Sequence, residues 1–250
     1  ATLPLINTMA QFFAIHPDNP QARLIRQAVE IVRRGGVIVY PTDSSYALGC
    51  HIGDKDAMER IRRLRDLDEK HNFTLVCRDL AEVALYARVG NADYRLLRAN
   101  TPGPYTFILP ATREVPRRLQ NPRRKTIGLR VPEHRIAQAL LTELGEHLMS
   151  STLIFPGEEQ PVADVSEVRE RLEHHVDLIV DGGNCGWEPT TVVALGPRAV
   201  GWADRLAVPV MAAIGLLLLV RCFGLPSATF TASGEGSQSL LRGLDVVVGY

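Results

Sequence analysis

The stretch Tyr40-Pro41-Thr42-Asp43-Ser44-Ser45-Tyr46 decides how this 250-residue chain is read. Residues 37–40 form a short apolar, β-branched run, and Pro41 lacks the amide hydrogen needed to continue a central strand. The polar Thr-Asp-Ser-Ser segment therefore falls just past a strand end, where open α/β sheets usually bind ligands. Upstream, residues 21–34 space Leu24, Ala28, Ile31 and Val32 as a helical stripe, and Gly35 and Gly36 stop that helix.

Downstream, Asp54 can cap a helix over 54–67 whose apolar stripe is Ala57, Met58, Ile61 and Leu64, with Arg60, Arg62, Arg63 and Arg65 mostly off it. The pattern continues with a strand over 73–77, a capping box of Asp79 and Glu82 opening a helix that runs to Arg88, and a helix over 91–100. Thr101-Pro102-Gly103-Pro104 is a rigid turn into a strand over 105–109. Strands over 127–131 and 148–153 flank a helix over 133–144. Asp164 and Glu167 suggest a second capping box, for a helix reaching His174, and strands over 177–180 and 190–195 follow. Interleaved helices and strands without a long repeat predict an α/β single domain, a twisted mixed sheet covered by helices, over residues 9–196. Strand order does not follow from the sequence.

Residues 1–8, upstream of Met9, are expected to be a leader outside the fold, non-native or disordered, and 197–250 form an atypical C-terminal tail of uncertain structure. Within that tail 206–220 is uncharged for 15 residues, short of the ~20 a membrane helix needs, so no membrane partner is expected. No secretory signal precedes the domain, and a cytoplasmic location is the default expectation. Cys50, Cys77, Cys185 and Cys222 include no C-x-x-C pair, which predicts reduced and mostly buried thiols. His174 and His175 point in different directions on a helix, and no H-E-x-x-H exists, so no metal site made of protein ligands alone is expected. A P-loop and a G-x-S-x-G elbow are also missing.

The chain carries 28 basic and 28 acidic residues, so any polyanion partner must be met by a local cluster. Residues 113–135 supply one, with eight basic residues against Glu114 and Glu133. Arginine forks match phosphate oxygens, which makes Arg117, Arg118, Arg123, Arg124 and Lys125 candidate RNA-binding residues, with Arg130 in the same field.

Four motifs taken in register resemble the YrdC/YciO family over residues 9–195: Tyr40 to Gly49, Pro102-Gly103-Pro104-Tyr105-Thr106, Thr126-Ile127-Gly128-Leu129-Arg130-Val131-Pro132, and Thr190-Thr191-Val192-Val193. Phe12-Phe13-Ala14-Ile15-His16-Pro17-Asp18-Asn19-Pro20 and His71-Asn72-Phe73-Thr74-Leu75 are similar to its YciO branch. The resemblance implies a YrdC/RibB-like domain with a basic concave face suited to tRNA or other double-stranded RNA. Its best-known members are threonylcarbamoyl-AMP synthases, which join threonine, bicarbonate and ATP, the ATP arriving with Mg²⁺, for modification of adenosine in tRNA. Carried over by position, Thr42 and Ser44 would lie near threonine, Arg65 and Arg130 near phosphates, Thr126 near threonine or phosphate, and Ser151 and Thr190 near the nucleotide. Tyr46 and Thr106 belong to the same motifs, and no residue is assigned a catalytic role. Two positions depart from the synthases: their Lys-x-Arg reads Arg65-Asp66-Leu67 here, and their Ser-x-Asn reads Ser151-Thr152-Leu153. A non-catalytic tRNA- or rRNA-binding protein, and a hydrolase or transferase acting on modified nucleosides, are the alternatives.

Overall fold

The computed structural model describes residues 9–195, apart from 69–70, 72, 122, 187–189 and the side chain of Arg118, so the expectations for 1–8 and 197–250 lie outside the described residues. In chain order the elements are β1 (Gln11–Ala14), α1 (Ala22–Arg33), β2 (Ile38–Pro41), β3 (Tyr46–His51), α2 (Lys55–Leu64), β4 (Thr74–Val76), α3 (Leu80–Tyr86), α4 (Asn91–Asn100), β5 (Tyr105–Pro110), β6 (Thr126–Arg130), α5 (Arg135–Leu144), β7 (Leu148–Thr152), α6 (Val165–Leu172), β8 (Leu178–Asp181) and β9 (Thr191–Ala194). A single turn of 3₁₀ helix, Arg117–Leu119, lies between β5 and β6. The expected mixed sheet is present as one sheet in the order β1-β8-β2-β3-β7-β4-β6-β5-β9.

Alternation along β2 shows why helices cover both faces. Val37 and Val39 enter one apolar cluster with Ile61 and Leu64 of α2, whereas Ile38 and Tyr40 enter another with Ala28 and Val32 of α1 and Leu140 and Leu141 of α5. A strand with both faces buried reads as a continuous apolar run, which is what residues 37–40 are.

The α2 stripe is buried as predicted, and Asp54 Oδ1 accepts the Ala57 amide at 2.9 Å as its cap. The helix ends at Leu64 rather than 67 because Asp66 turns to φ 50 and the Leu67 amide closes back on the Arg62 carbonyl at 2.9 Å, a left-handed C-terminal closure. In α1 the fully buried stripe is Ile25, Ala28, Val29 and Val32; Leu24 and Ile31 sit at its margins. Neither capping box closes reciprocally. Asp79 accepts from the Glu82 amide, but the Glu82 carboxylate turns to the Arg78 amide at 2.7 Å, and Glu167 turns to Arg171 at 3.0 Å. In both cases a guanidinium also draws the carboxylate away from the cap amide, Arg78 at 3.1 Å for Glu82 and Arg171 for Glu167.

Cys50, Cys77 and Cys185 are free and buried, as composition suggested, and Cys222 lies outside the described residues. No helix among the described residues is long and apolar enough to cross a membrane.

Ile61 is fully buried at the centre of the α2 stripe, whereas Arg63 makes only an exposed 3.8 Å pair with Glu59. Urea unfolding is expected to show Ile61→Ala destabilised by about 2–5 kcal/mol and Arg63→Ala changed by less than about 0.5 kcal/mol. Equal effects would contradict this placement of α2.

Candidate functional site

β2 and β3 pair antiparallel and are joined by Thr42 to Ser45, a turn that the sequence staples internally. Thr42 Oγ1 donates to the Ser45 carbonyl at 2.6 Å and accepts the Ser44 and Ser45 amides at 3.3 and 3.2 Å. Short hydroxyl side chains satisfy backbone groups in this way wherever a chain must reverse tightly. The consequence is that Asp43 and Ser44 are held facing the end of β6.

Arg130 closes β6 and meets them there. Its Nη2 donates to Asp43 Oδ1 at 2.6 Å and to Ser44 Oγ at 3.0 Å, and its Nη1 donates to Thr190 Oγ1 at 2.8 Å. Ser44 Oγ and Thr190 Oγ1 are themselves 3.1 Å apart. Asp43 Oδ2 and Arg130 Nε are buried without partners among the described residues. Two polar atoms left in low dielectric beside a paired charge mark a site with unmet hydrogen-bonding capacity.

The other wall comes from α2 and β7. Arg65, at the C-terminal end of α2, donates from Nη1 to Ser151 Oγ at 2.8 Å and from Nε to the Ile154 carbonyl at 3.3 Å. Burial pulls its guanidinium down to about 10, which leaves it protonated at neutral pH. Between the walls lies a cavity lined by Thr42, Thr74, Thr106, Arg130, Ser150 and Ser151, among others. It holds about 30 Å³, room for a water or two. Tyr40 donates to Ser150 Oγ at 2.8 Å across its floor, and burial pushes the Tyr40 phenol up to about 12, so it stays a hydrogen-bond donor.

The structure thus gathers Thr42, Ser44, Thr106, Arg130, Ser151 and Thr190, with Arg65 held against Ser151. It separates two of the residues singled out from sequence. Tyr46 sends its hydroxyl to the Gly183 carbonyl at 2.7 Å and accepts the Gly182 amide at 3.3 Å, so it fixes the glycine loop instead of lining the cavity. That loop lies so close that a Cβ on Gly182 would meet Pro41 Cγ and Ile136 Cδ1 at 2.7 Å. Thr126 opens β6, four residues and about 13 Å of strand from Arg130, and is not among the lining residues. Asp43, Tyr40, Thr74 and Ser150 were not anticipated. Tyr40, Thr74 and Ser150 reach the cavity through cross-strand register, such as Thr74 opposite both Ser150 and Gly128, whereas Asp43 meets Arg130 from the turn.

Of the basic segment, Arg117, Arg123, Arg124 and Lys125 are exposed, and none has a carboxylate within 4.0 Å among the described residues. Asn121 Oδ1 accepts the Arg123 and Arg124 amides at 3.1 and 2.9 Å, which fixes the backbone from which these two side chains leave. The α2 arginines are more committed: Arg60 pairs with Asp177 at 2.9 Å and Arg62 lies over Phe73 at 5.4 Å.

Comparison with known proteins places this geometry. The family model described as Telomere recombination, for Sua5, YciO and YrdC, matches residues 30–200. Escherichia coli YciO is 63% identical over 187 residues, 75% of this chain and 91% of the relative. Its crystal structure covers 76% of this chain and 93% of its own, with a TM-score of 0.74. A threonylcarbamoyl-AMP synthase of Halorhodospira halophila is 32% identical over 181 residues, 72% of this chain and 94% of the relative. P. abyssi Sua5 complexed with L-threonine shares the fold at 22% identity and a TM-score of 0.68, covering 74% of this chain and 54% of its own. The chain belongs to the Sua5/YciO/YrdC family.

Proposed function

We propose that this protein binds threonine and ATP in the cleft around Arg130, presents the Arg117–Lys125 segment to tRNA or other structured RNA, and acts in the threonylcarbamoyl-adenosine chemistry of tRNA. The observation that carries the reading is Arg130, buried beside the Thr42–Ser45 turn with its Nε unpartnered and a polar cavity on its open side. A guanidinium so placed suits a carboxylate or phosphate oxygen, which offers the planar two-oxygen partner its fork matches. The relationship to threonylcarbamoyl-AMP synthases supplies the substrate class. Because the cavity holds about 30 Å³, threonine enters only as Asp43 yields Arg130 to the incoming carboxylate. Mg²⁺ comes as part of the ATP complex.

A second reading, RNA and nucleotide binding without adenylate formation, is favoured by Leu153. The residue is 1% exposed in the apolar core with Phe155 and Val162, at the position where the synthase motif carries an amide. Leu67 likewise replaces a cation that would face the departing pyrophosphate, where charge develops. Incubation with ATP, threonine and bicarbonate separates the two: pyrophosphate released above background supports the synthase, and its absence with ligand binding intact supports the binder.

For the cleft, calorimetric titration of threonine is expected to show at least about a tenfold affinity loss, some 1.4 kcal/mol, in Arg130→Lys, which keeps the charge but loses the fork. Affinity equal to the wild type would remove Arg130 from the threonine site. For the basic segment, RNA affinity is expected to fall steeply with salt. Reversing Arg117, Arg123 and Arg124 to Glu should make the log–log salt slope shallower by about one per arginine. An unchanged slope would place RNA elsewhere or nowhere on the molecule.

A further inference from the structure

Cys77, Glu82 and, about 65 residues further along the chain, His147 meet beside the end of β6. The β4–β7 pairing sets Val76 opposite Leu148, so the next pair along the ladder is Cys77 and His147, directly across from each other. Glu82 enters from the first turn of α3, where Asp79 caps its amide. One ligand atom from each, Cys77 Sγ, a Glu82 carboxylate oxygen and a His147 ring nitrogen, lies within 4.8 Å of the other two, and all three residues are buried.

The cluster is not accounted for by the bonds it makes. His147 is 6% exposed, and its Nδ1 is buried without a hydrogen-bond partner among the described residues, since Glu82 Oε2, 3.4 Å away, lies off hydrogen-bond geometry. The Cys77 thiol reaches only the Leu75 carbonyl at 3.9 Å. Tyr86 packs its ring edge-on against His147 at 4.0 Å between centroids, which orients the imidazole. An unsatisfied ring nitrogen, a thiol and a carboxylate converging in a buried space make the nitrogen, sulfur and oxygen donor set that zinc takes.

We propose that Cys77, Glu82 and His147 form a binding site for one zinc-class divalent cation, with a fourth position left to water. Glu82 Oε2 and His147 Nδ1 already stand 3.4 Å apart, and the widest separation in the set, within 4.8 Å, needs to close by up to about an ångström to reach the roughly 3.5 Å spacing of a tetrahedral site. As the metal–sulfur bond forms, the Cys77 thiol releases its proton to solvent. Glu82 now holds Arg78 at 3.1 Å, and Arg78 has Asp79 as a second carboxylate at 3.6 Å to turn to. A wide cleft of about 890 Å³ is lined by Arg78 and Asp79, the residues that follow Cys77 in the chain. The Cys77 amide donates to the Arg130 carbonyl at 2.8 Å, so an ion here stiffens the strand end that carries the cleft's arginine.

The test is titration of the tag-free, chelator-stripped full chain with Zn²⁺ and with Co²⁺ alone. One equivalent of either is expected to bind, the Co²⁺ form showing thiolate-to-cobalt charge-transfer absorption that persists in Cys50→Ser and disappears in Cys77→Ser. His147→Gln and Glu82→Gln should each weaken binding at least about tenfold, within the range seen for lost ligands and their supports. These two also decide the matter should Cys77→Ser lose its native circular dichroism. Sub-stoichiometric binding, no charge-transfer band, or a band that survives in Cys77→Ser or is unaffected by both other variants overturns the site. Threonine and ATP do not enter the assay, so its outcome is independent of the proposed function.

Discussion

The ion pair between Arg130 and Asp43, 2.6 Å long with both side chains about nine-tenths buried, is the charged centre of a cluster that joins three distant pieces of chain. Asp43 comes from the β2–β3 turn, Arg130 from the end of β6, and Thr190, its third partner, from the residue before β9. Burying two charges costs several kcal/mol per ion in desolvation, and their attraction offsets this only with good geometry and further hydrogen bonds. Ser44 and Thr190 supply such bonds, yet Asp43 Oδ2 and Arg130 Nε remain unpaired. An apolar pair of similar volume would serve stability as well or better. Stability alone therefore does not account for the pair, which is why the proposed function assigns it to anion binding.

The same economy appears in how the arginines are distributed. The chain is neutral in total, and most arginines of α2 and α6 are neutralised locally: Arg60 by Asp177, Arg171 by Glu158 and Glu167. Those after β5 are not, and Asn121 organises their turn through backbone amides, leaving the guanidinium groups outward. Interactions between exposed charges fade beyond a Debye length, so the proposed RNA contact rests on the local density of cations in this segment and not on the chain's total charge.

What the sequence revealed divides along the range of the interaction. The α2 stripe with its Asp54 cap and the exact span of α4 were legible because their causes lie within one or two helical turns. β3 escaped notice: Tyr46 to Cys50 is buried on both faces and has no alternation to betray it. Motif resemblance singled out Thr42, Arg130, Ser151 and Thr190, which the fold brings around one cavity, and Thr126, which shares a strand with Arg130 and lies about 13 Å along it by strand rise. Asp43, Ser150, Cys77 and His147 depend on which strands are neighbours, and strand order is set by non-local pairing that local patterns do not encode.

Leu153 shows how far one departure reaches. Its amide still donates to the Tyr46 carbonyl at 3.0 Å, and its carbonyl accepts from Val162 at 2.9 Å, so the backbone at this position continues the sheet. The side chain, however, points into the cluster that holds Phe155, Val162 and Ile179. An amide placed there would lose water without gaining a partner, a cost of about 1–3 kcal/mol. The polar function of that position has therefore been replaced by packing, and returning the asparagine alone would not restore it. Arg65 and Ser151, bonded to each other at 2.8 Å, keep this wall of the cleft polar without it. In the proposed cleft, ligand binding and adenylate formation would therefore be separable, because they would depend on different side chains.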